Sequence, residues 1–196
     1  EELGQSLLSG GGFVSNYDGY TVAEHGFHLY AENVSVALAA GGSLTSGGSF
    51  QYKVIYQHTD AQGQISRSAP SVAVTASPTG SNLTATLTIP TLRLTTHTNV
   101  LCEVYRTSNG GTLFFRVGNV ANSTSADTVS FSDDGTITDT NLVANESLYT
   151  NGDILEHVSP PATSVIGSFH HGKCLRHLVQ GRYPQTDQQN QHRIQL

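Results

Sequence analysis

The run "YRTSNGGTLFFRV", residues 105–117, is the strongest local signal in the chain. Strand-forming residues flank Asn109-Gly110-Gly111, a triplet able to supply the positive φ angles of a tight return, so an antiparallel hairpin is expected here. The same pattern repeats on either side. Strands are expected at 33–39, 49–58, 64–76, 83–89, 99–107, 112–119 and 127–132, separated by "GGSLTSGG", "DAQG", "SPTGSN", "TTHTN", "SNGG" and "ANSTSA". In 49–58, Phe50, Tyr52, Val54 and Tyr56 share one side, while Gln51, Lys53 and Gln57 share the other. In 83–89, Leu83, Ala85, Leu87 and Ile89 alternate with Thr84, Thr86 and Thr88. Such period-2 alternation belongs to a sheet covered on one face. Seven short strands in about a hundred residues predict an all-β fold, a two-sheet β-sandwich. No amphipathic helix is expected.

Composition narrows the functional classes. Only 12% of the 196 residues are charged, and Val, Ile, Leu and Phe are too frequent for a disordered chain. A formal charge of −6 argues against a basic nucleic-acid surface, though it leaves room for a weakly repulsive wall along which DNA slides. No apolar run approaches the ~18 residues a membrane helix needs, and no signal peptide is read in "EELGQSLLSGGGF". Cys102 and Cys174 are far apart in sequence and are expected as free thiols, with one disulfide as the alternative.

Several tracts together resemble a known family. "YKVIYQHTDAQGQISRSAPSVAVT", "LTIPTLRLT", "VLCEVYRTSNGGTLFFRVGNV" and "DTVSFSDDG" are similar to fibronectin type III-like modules of phage and bacterial proteins. The flanks, "LLSGGGFVSNYDGYTVAEHGFHLYAENV" and "LYTNGDILEHVSPPATSVIGSF", resemble the tail nozzle or DNA-stabilisation proteins of short-tailed phages, in which a β-propeller carries inserted sandwich domains. The resemblance spans roughly residues 8 to 169. It implies a fibronectin III/immunoglobulin-like β-sandwich flanked by β-propeller-like segments. The expected division is 1–32 as an irregular flanking segment of a larger β domain, 33–135 as the sandwich, 136–169 as a connector returning to the larger domain, and 170–196 as a polar His/Gln-rich tail. It further implies a homo-oligomeric ring, a hexamer, in a virion tail assembled in the bacterial cytoplasm, with neighbouring tail or adaptor proteins as partners and double-stranded DNA passing through.

Candidate sites are few. "AEHGFH" brings Glu24, His25 and His28 together with zinc-type ligands, but no fourth ligand is identifiable and Gly26 opposes a helix. The alternative there is a polar loop that packs Phe27 and Tyr30 into an interface. "HHGKCLRH" offers His170, His171, Cys174 and His177 with no standard finger spacing, and Lys173, Arg176, Arg182 and Arg193 are the best candidates for any nucleic-acid contact. Asp127, Asp133, Asp134 and Asp139 cluster around a glycine turn, where calcium competes with an ordinary acidic turn. Alternation lets only one of Phe114 and Phe115 face its own core, so the other is expected as an interface anchor. No nucleophile elbow, phosphate loop or acid–base constellation is present, so a non-enzymatic role without a cofactor is expected. The competing reading is a glycan- or receptor-binding module using Tyr17, Tyr20 and Tyr30, weakened by the absence of Trp.

Overall fold

A computed structural model describes residues 2–3, 6–9 and 15–148. They are mostly strand, in three sheets, with one short helix. The first sheet is an antiparallel meander of β1 (Glu2–Leu3), β2 (Ser6–Ser9), β3 (Ser15–Tyr17) and β4 (Val22–Glu24), in that order. Part of the segment expected to be irregular is therefore sheet. The second sheet contains β5 (Ser35–Ala39), β6 (Gly41–Gly42), β10 (Asn82–Pro90) and β13 (Thr128–Asp133), with β10 between β13 and β5. The third runs in the order β12 (Phe114–Ala121), β11 (Leu101–Thr107), β7 (Phe50–Thr59) and β8 (Ile65–Arg67), and β9 (Val74–Ala76) also pairs with β7. The helix is α1 (Asp139–Leu142).

The predicted alternation sets the core. Phe50, Tyr52, Val54 and Tyr56 from β7 bury against Ala85, Leu87 and Ile89 from β10, with Cys102 and Val104 of β11 joining them. Residues of the second and third sheets thus share one apolar cluster. β5 and β7, separated in the chain only by the two-residue β6, lie in different sheets.

The expected strand 64–76 is interrupted. Pro70 has no N–H to give the ladder, and the chain between β8 and β9 pairs through serines instead. The Ser68 and Ser71 hydroxyls accept from the N–H groups of Tyr56 (2.9 Å) and Val54 (3.0 Å). The Ser68 and Ser71 N–H groups in turn donate to the carbonyls of Tyr56 and Val54 (2.9 Å each). The 105–117 hairpin is present with a longer turn than expected, and only Gly110 in it has a positive φ, +66°. Within β12 a bulge opposite Val104 and Tyr105 brings Gly118 under the Phe131 ring, where a Cβ would stand 2.9 Å from a ring carbon.

The packed body extends past both expected boundaries. Phe27 and Ala31, assigned above to the flanking segment, are fully buried in the main core. At the other end, residues 136–148 are more than a connector. Thr138 caps α1, Leu142 is fully buried, and Leu148 joins Ile55, Tyr105 and Phe114 in a second cluster on the outer face of the third sheet. Backbone bonds from Arg116 N–H to the Glu146 carbonyl and from Leu148 N–H to the Phe114 carbonyl seat this segment along β12. Leu148→Ala is expected to cost about 2–5 kcal/mol in urea unfolding, as for other buried leucines; an unchanged midpoint would mean the segment does not hold the body together.

Among the described residues, no helix is long and apolar enough to cross a membrane.

Candidate functional site

Two polar centres stand out, neither fully foreseen. One lies where the β3–β4 hairpin meets the loops after β7 and β10. Asp18 closes the hairpin turn by accepting from the N–H groups of Tyr20 and Thr21, and its second oxygen accepts from Ala61 N–H across the joint (3.0 Å). Gln62 returns a bond to the Asp18 carbonyl at 2.6 Å. The backbone N–H bonds from Thr21, Ala61 and Tyr20 hold the Asp18 carboxyl at a pKa of about 2. A few residues on, Glu24 N–H donates to Thr96 Oγ1 (2.7 Å) and the Thr95 hydroxyl donates to the Glu24 carboxylate.

Two imidazoles sit inside this joint. His97 stacks on His58 with ring centroids 4.4 Å apart and lies tilted against Phe27 at 4.8 Å. Each donates one ring N–H to a carbonyl: His97 Nε2 to Gly26 at 2.9 Å, and His58 Nδ1 to Thr98 at 2.7 Å. A carbonyl can only accept, so each of these two nitrogens carries a hydrogen, and His97 Nδ1 is left buried with no hydrogen-bond partner. Beside the rings is a small cleft of about 50 Å³, lined among others by Asn16, Asp18, Glu24, His58, Asp60 and His97.

Burial lowers the His97 pKa, and the neighbouring His58 lowers it further; the Gly26 hydrogen bond and the Glu24 carboxylate oppose this, and His25 adds a smaller lowering. Between the folded value and the ordinary 6.5, the unfolded chain binds a proton that the folded chain does not. The contribution is therefore complete above about pH 6.5 and is lost as pH falls below it, with a slope of up to ~1.4 kcal/mol per pH unit. Urea unfolding between about pH 8 and pH 5 checks this. His97→Phe is expected to flatten the slope, and an unchanged slope would assign it to other groups.

The second centre is a buried ion pair bridging the two larger sheets. Arg106 of β11 and Asp133 of β13 are 1% and 3% exposed and meet at 2.6 Å. Tyr52 of β7 donates its hydroxyl to the same carboxylate oxygen (2.8 Å), Gly135 N–H donates to the other oxygen, and Arg106 donates to the Ile137 carbonyl (2.7 Å). Burial and the adjacent carboxylate push the Tyr52 phenol above its ordinary pKa. On the outer face of the third sheet, Glu103 (1% exposed) is held by Arg116 and by Asn119.

These contacts reassign most of the sequence candidates. The four aspartates are engaged within the chain: Asp127 pairs with Arg93, Asp134 with Thr136, Asp133 with Arg106 and Tyr52, and Asp139 with the same Arg106 and with Asn109 N–H. They form no shared cage. His28 Nε2 lies 3.8 Å from a Glu24 oxygen, and His25 lines the cleft. Among the described residues, no group of three or more His, Cys, Asp or Glu side chains is arranged to hold a metal ion. Phe27 is core, not interface, because its ring fills the space between Tyr56 and His97. Phe114, 5% exposed, is covered by the second cluster and by the Lys53 ammonium over its ring, while Phe115 is half-buried opposite Arg106. Tyr30 is 39% exposed. Cys102 is a buried free thiol whose pKa burial pushes up to about 12. His170, His171, Cys174 and His177, with Lys173, Arg176, Arg182 and Arg193, lie outside the described residues.

His58 and His97 escaped the sequence reading because 39 residues separate them and "TTHTN" reads as a turn. The only local hint was a histidine on the outer end of a strand otherwise rich in buried aromatics.

The described residues thus define an all-β body with a polar, histidine-bearing joint at one end. Comparison with protein families, with curated proteins and with solved structures gave no match.

Proposed function

We propose that this chain is a structural component of a short-tailed phage tail, a nozzle or tail-tube ring subunit that acts through contacts with other chains. In this reading the two larger sheets are a fibronectin III/immunoglobulin-like sandwich, and the chain before it belongs to a propeller-like domain. The observation that carries it is the β1–β4 meander: four antiparallel strands in sequential order, the form of one propeller blade, joined directly to the two-sheet body. The blade leaves Leu7, Tyr17 and Val22 in cross-strand register and exposed, which suits a sheet meeting another element. The negative net charge suits a surface past which DNA moves without sticking. The protein acts in the virion, in a closed homo-oligomeric ring, a hexamer, beside other tail or adaptor proteins, and catalyses no reaction. An antibody raised against this chain is expected to decorate the tails of phage particles from the same source under the electron microscope. Purified particles that carry neither the label nor a peptide of this chain by mass spectrometry would overturn the proposal.

One observation favours a glycan- or receptor-binding role instead. Tyr20 is 79% exposed and Tyr17 39% exposed on the same hairpin, beside the polar cleft. Aromatic faces so placed can stack on sugar rings. A glycan-array signal abolished by Tyr20→Ala would support that role, and a blank array would remove it.

A further inference from the structure

The loop between β10 and β11 is built like a hinged strap. Asn122 holds both of its ends. Its side chain accepts from Leu92 N–H (2.8 Å) and donates to the Leu92 carbonyl (2.9 Å), and its own N–H donates to the Val100 carbonyl (2.9 Å). Leu92 and Val100 are themselves buried. Of the side chains between them, only that of His97 is buried. Arg93 pairs with Asp127 at the surface, where such a pair adds little. A groove of about 420 Å³, lined by residues 97–101 and by Ala121, Asn122 and Thr124, leaves room beside the second half of the loop.

The strap fastens the segment that leaves the β1–β4 meander. Thr96 Oγ1 accepts from Glu24 N–H (2.7 Å), the Thr95 hydroxyl donates to the Glu24 carboxylate, and His97 Nε2 donates to the Gly26 carbonyl (2.9 Å). From this geometry we propose that residues 93–99 form a pH-sensitive strap: a proton taken up by the stacked His58–His97 pair lifts the loop off residues 24–26, while the two-sheet body stays folded. His58 is fixed in β7, so a charge on either ring faces the other across 4.4 Å. The His97 side chain is 3% exposed and its Nδ1 meets no acceptor. The second N–H of a protonated ring therefore goes unsatisfied in the closed loop and reaches water in the open one. Burial, the largest influence on this ring, likewise disfavours its charged form. The closed loop binds the proton less well than the open loop, so acid favours opening.

The other charged groups at the joint do not reverse this. Glu24 lies 3.9 Å from His97 Nε2 and favours the proton, but the same carboxylate serves Thr95 and lies 3.8 Å from His28 Nε2. His25 adds positive charge in acid. Asp18 is engaged by Tyr20, Thr21 and Ala61, and Asp60 by the Gln62 and Gln64 N–H groups. Carboxylates ordinarily titrate near pH ~4, so between about pH 7.5 and about pH 5.5 it is the imidazoles that change charge. The strap works in the same way whether or not the chain stands in a phage tail.

Hydrogen exchange of the full chain, followed amide by amide by NMR and corrected for its intrinsic pH dependence, tests this. Glu24 N–H is expected to lose about tenfold in protection between about pH 7.5 and about pH 5.5, the effect of one proton across the ordinary imidazole value. Asn122 N–H at the hinge and Arg116 N–H on β12 are expected to change less than about twofold, as amides outside the opening segment. His97→Gln keeps an N–H for the Gly26 carbonyl and takes up no proton, so it is expected to abolish the Glu24 response. Should that variant fail to fold, titration of the His97 ring in the unaltered chain decides: a midpoint below about 6.5 supports the strap, and one at or above it overturns it. Constant protection at Glu24, loss at Asn122 and Arg116 in step with Glu24, or a His97→Gln chain that still responds would each overturn the proposal.

Discussion

Asp133→Ala is expected to destabilise the protein by about 3–5 kcal/mol, enough to lower the melting temperature by roughly 10 °C. The loss is not the value of one contact. The substitution leaves the Arg106 guanidinium, 1% exposed, buried without its carboxylate, and leaves the Tyr52 hydroxyl without its acceptor. The remaining Arg106 bonds, to the Ile137 carbonyl and to Asp139 at 3.4 Å, do not neutralise the charge at the same depth. A combined replacement, Arg106→Met with Tyr52→Phe and Asp133→Leu, removes the charges and the stranded hydroxyl together and is expected to recover much of the loss. Urea unfolding of the single and combined variants reads both effects. A single variant within ~0.5 kcal/mol of the starting protein would mean that Arg106 finds water or another acceptor when Asp133 is gone.

Phe27→Ala carries an effect of similar size and separates two readings of one residue. Truncating a fully buried phenylalanine typically costs ~3–5 kcal/mol. Phe27 is 0% exposed and touches both Tyr56 in the core and His97 in the joint, so its removal is expected to lower stability and to loosen the imidazole stack. The pH slope assigned to His97 is expected to shrink in the same variant. An interface anchor would behave differently: the isolated chain would keep its urea midpoint and lose only its contacts with other chains. Tyr30→Ala is the comparison, since Tyr30 is 39% exposed and its truncation is expected to stay within ~0.5 kcal/mol.

Most strands were legible because each reports its own burial. Alternation in 49–58 and 83–89 named the core faces of β7 and β10 residue by residue, and the hairpin at 105–117 was visible from its turn. The reading failed where a side chain does backbone work. Ser68 and Ser71 look like ordinary loop residues, yet their hydroxyls take the place of ladder acceptors on either side of Pro70. It failed again where partners are distant in sequence. Asp133 and Arg106 are 27 residues apart; alternation puts Asp133 in phase with Val129 and Phe131, but nothing local names Arg106 as its partner. The candidate site was half visible: "AEHGFH" was singled out, but His58 and His97 were not.

Strand periods, most of the turns between them and the apolar sides of β7 and β10 could be read along the chain, because these follow from φ preferences and from side chains one or two positions apart. Which sheet each strand joined, that Phe27 and Leu148 belong to the body, and which charges are buried were set by packing between distant segments. The two differ in range. Alternation is a property of neighbours along the chain, whereas pairing of an arginine with an aspartate, or of one imidazole with another, exists only once the chain has brought them within a few ångströms.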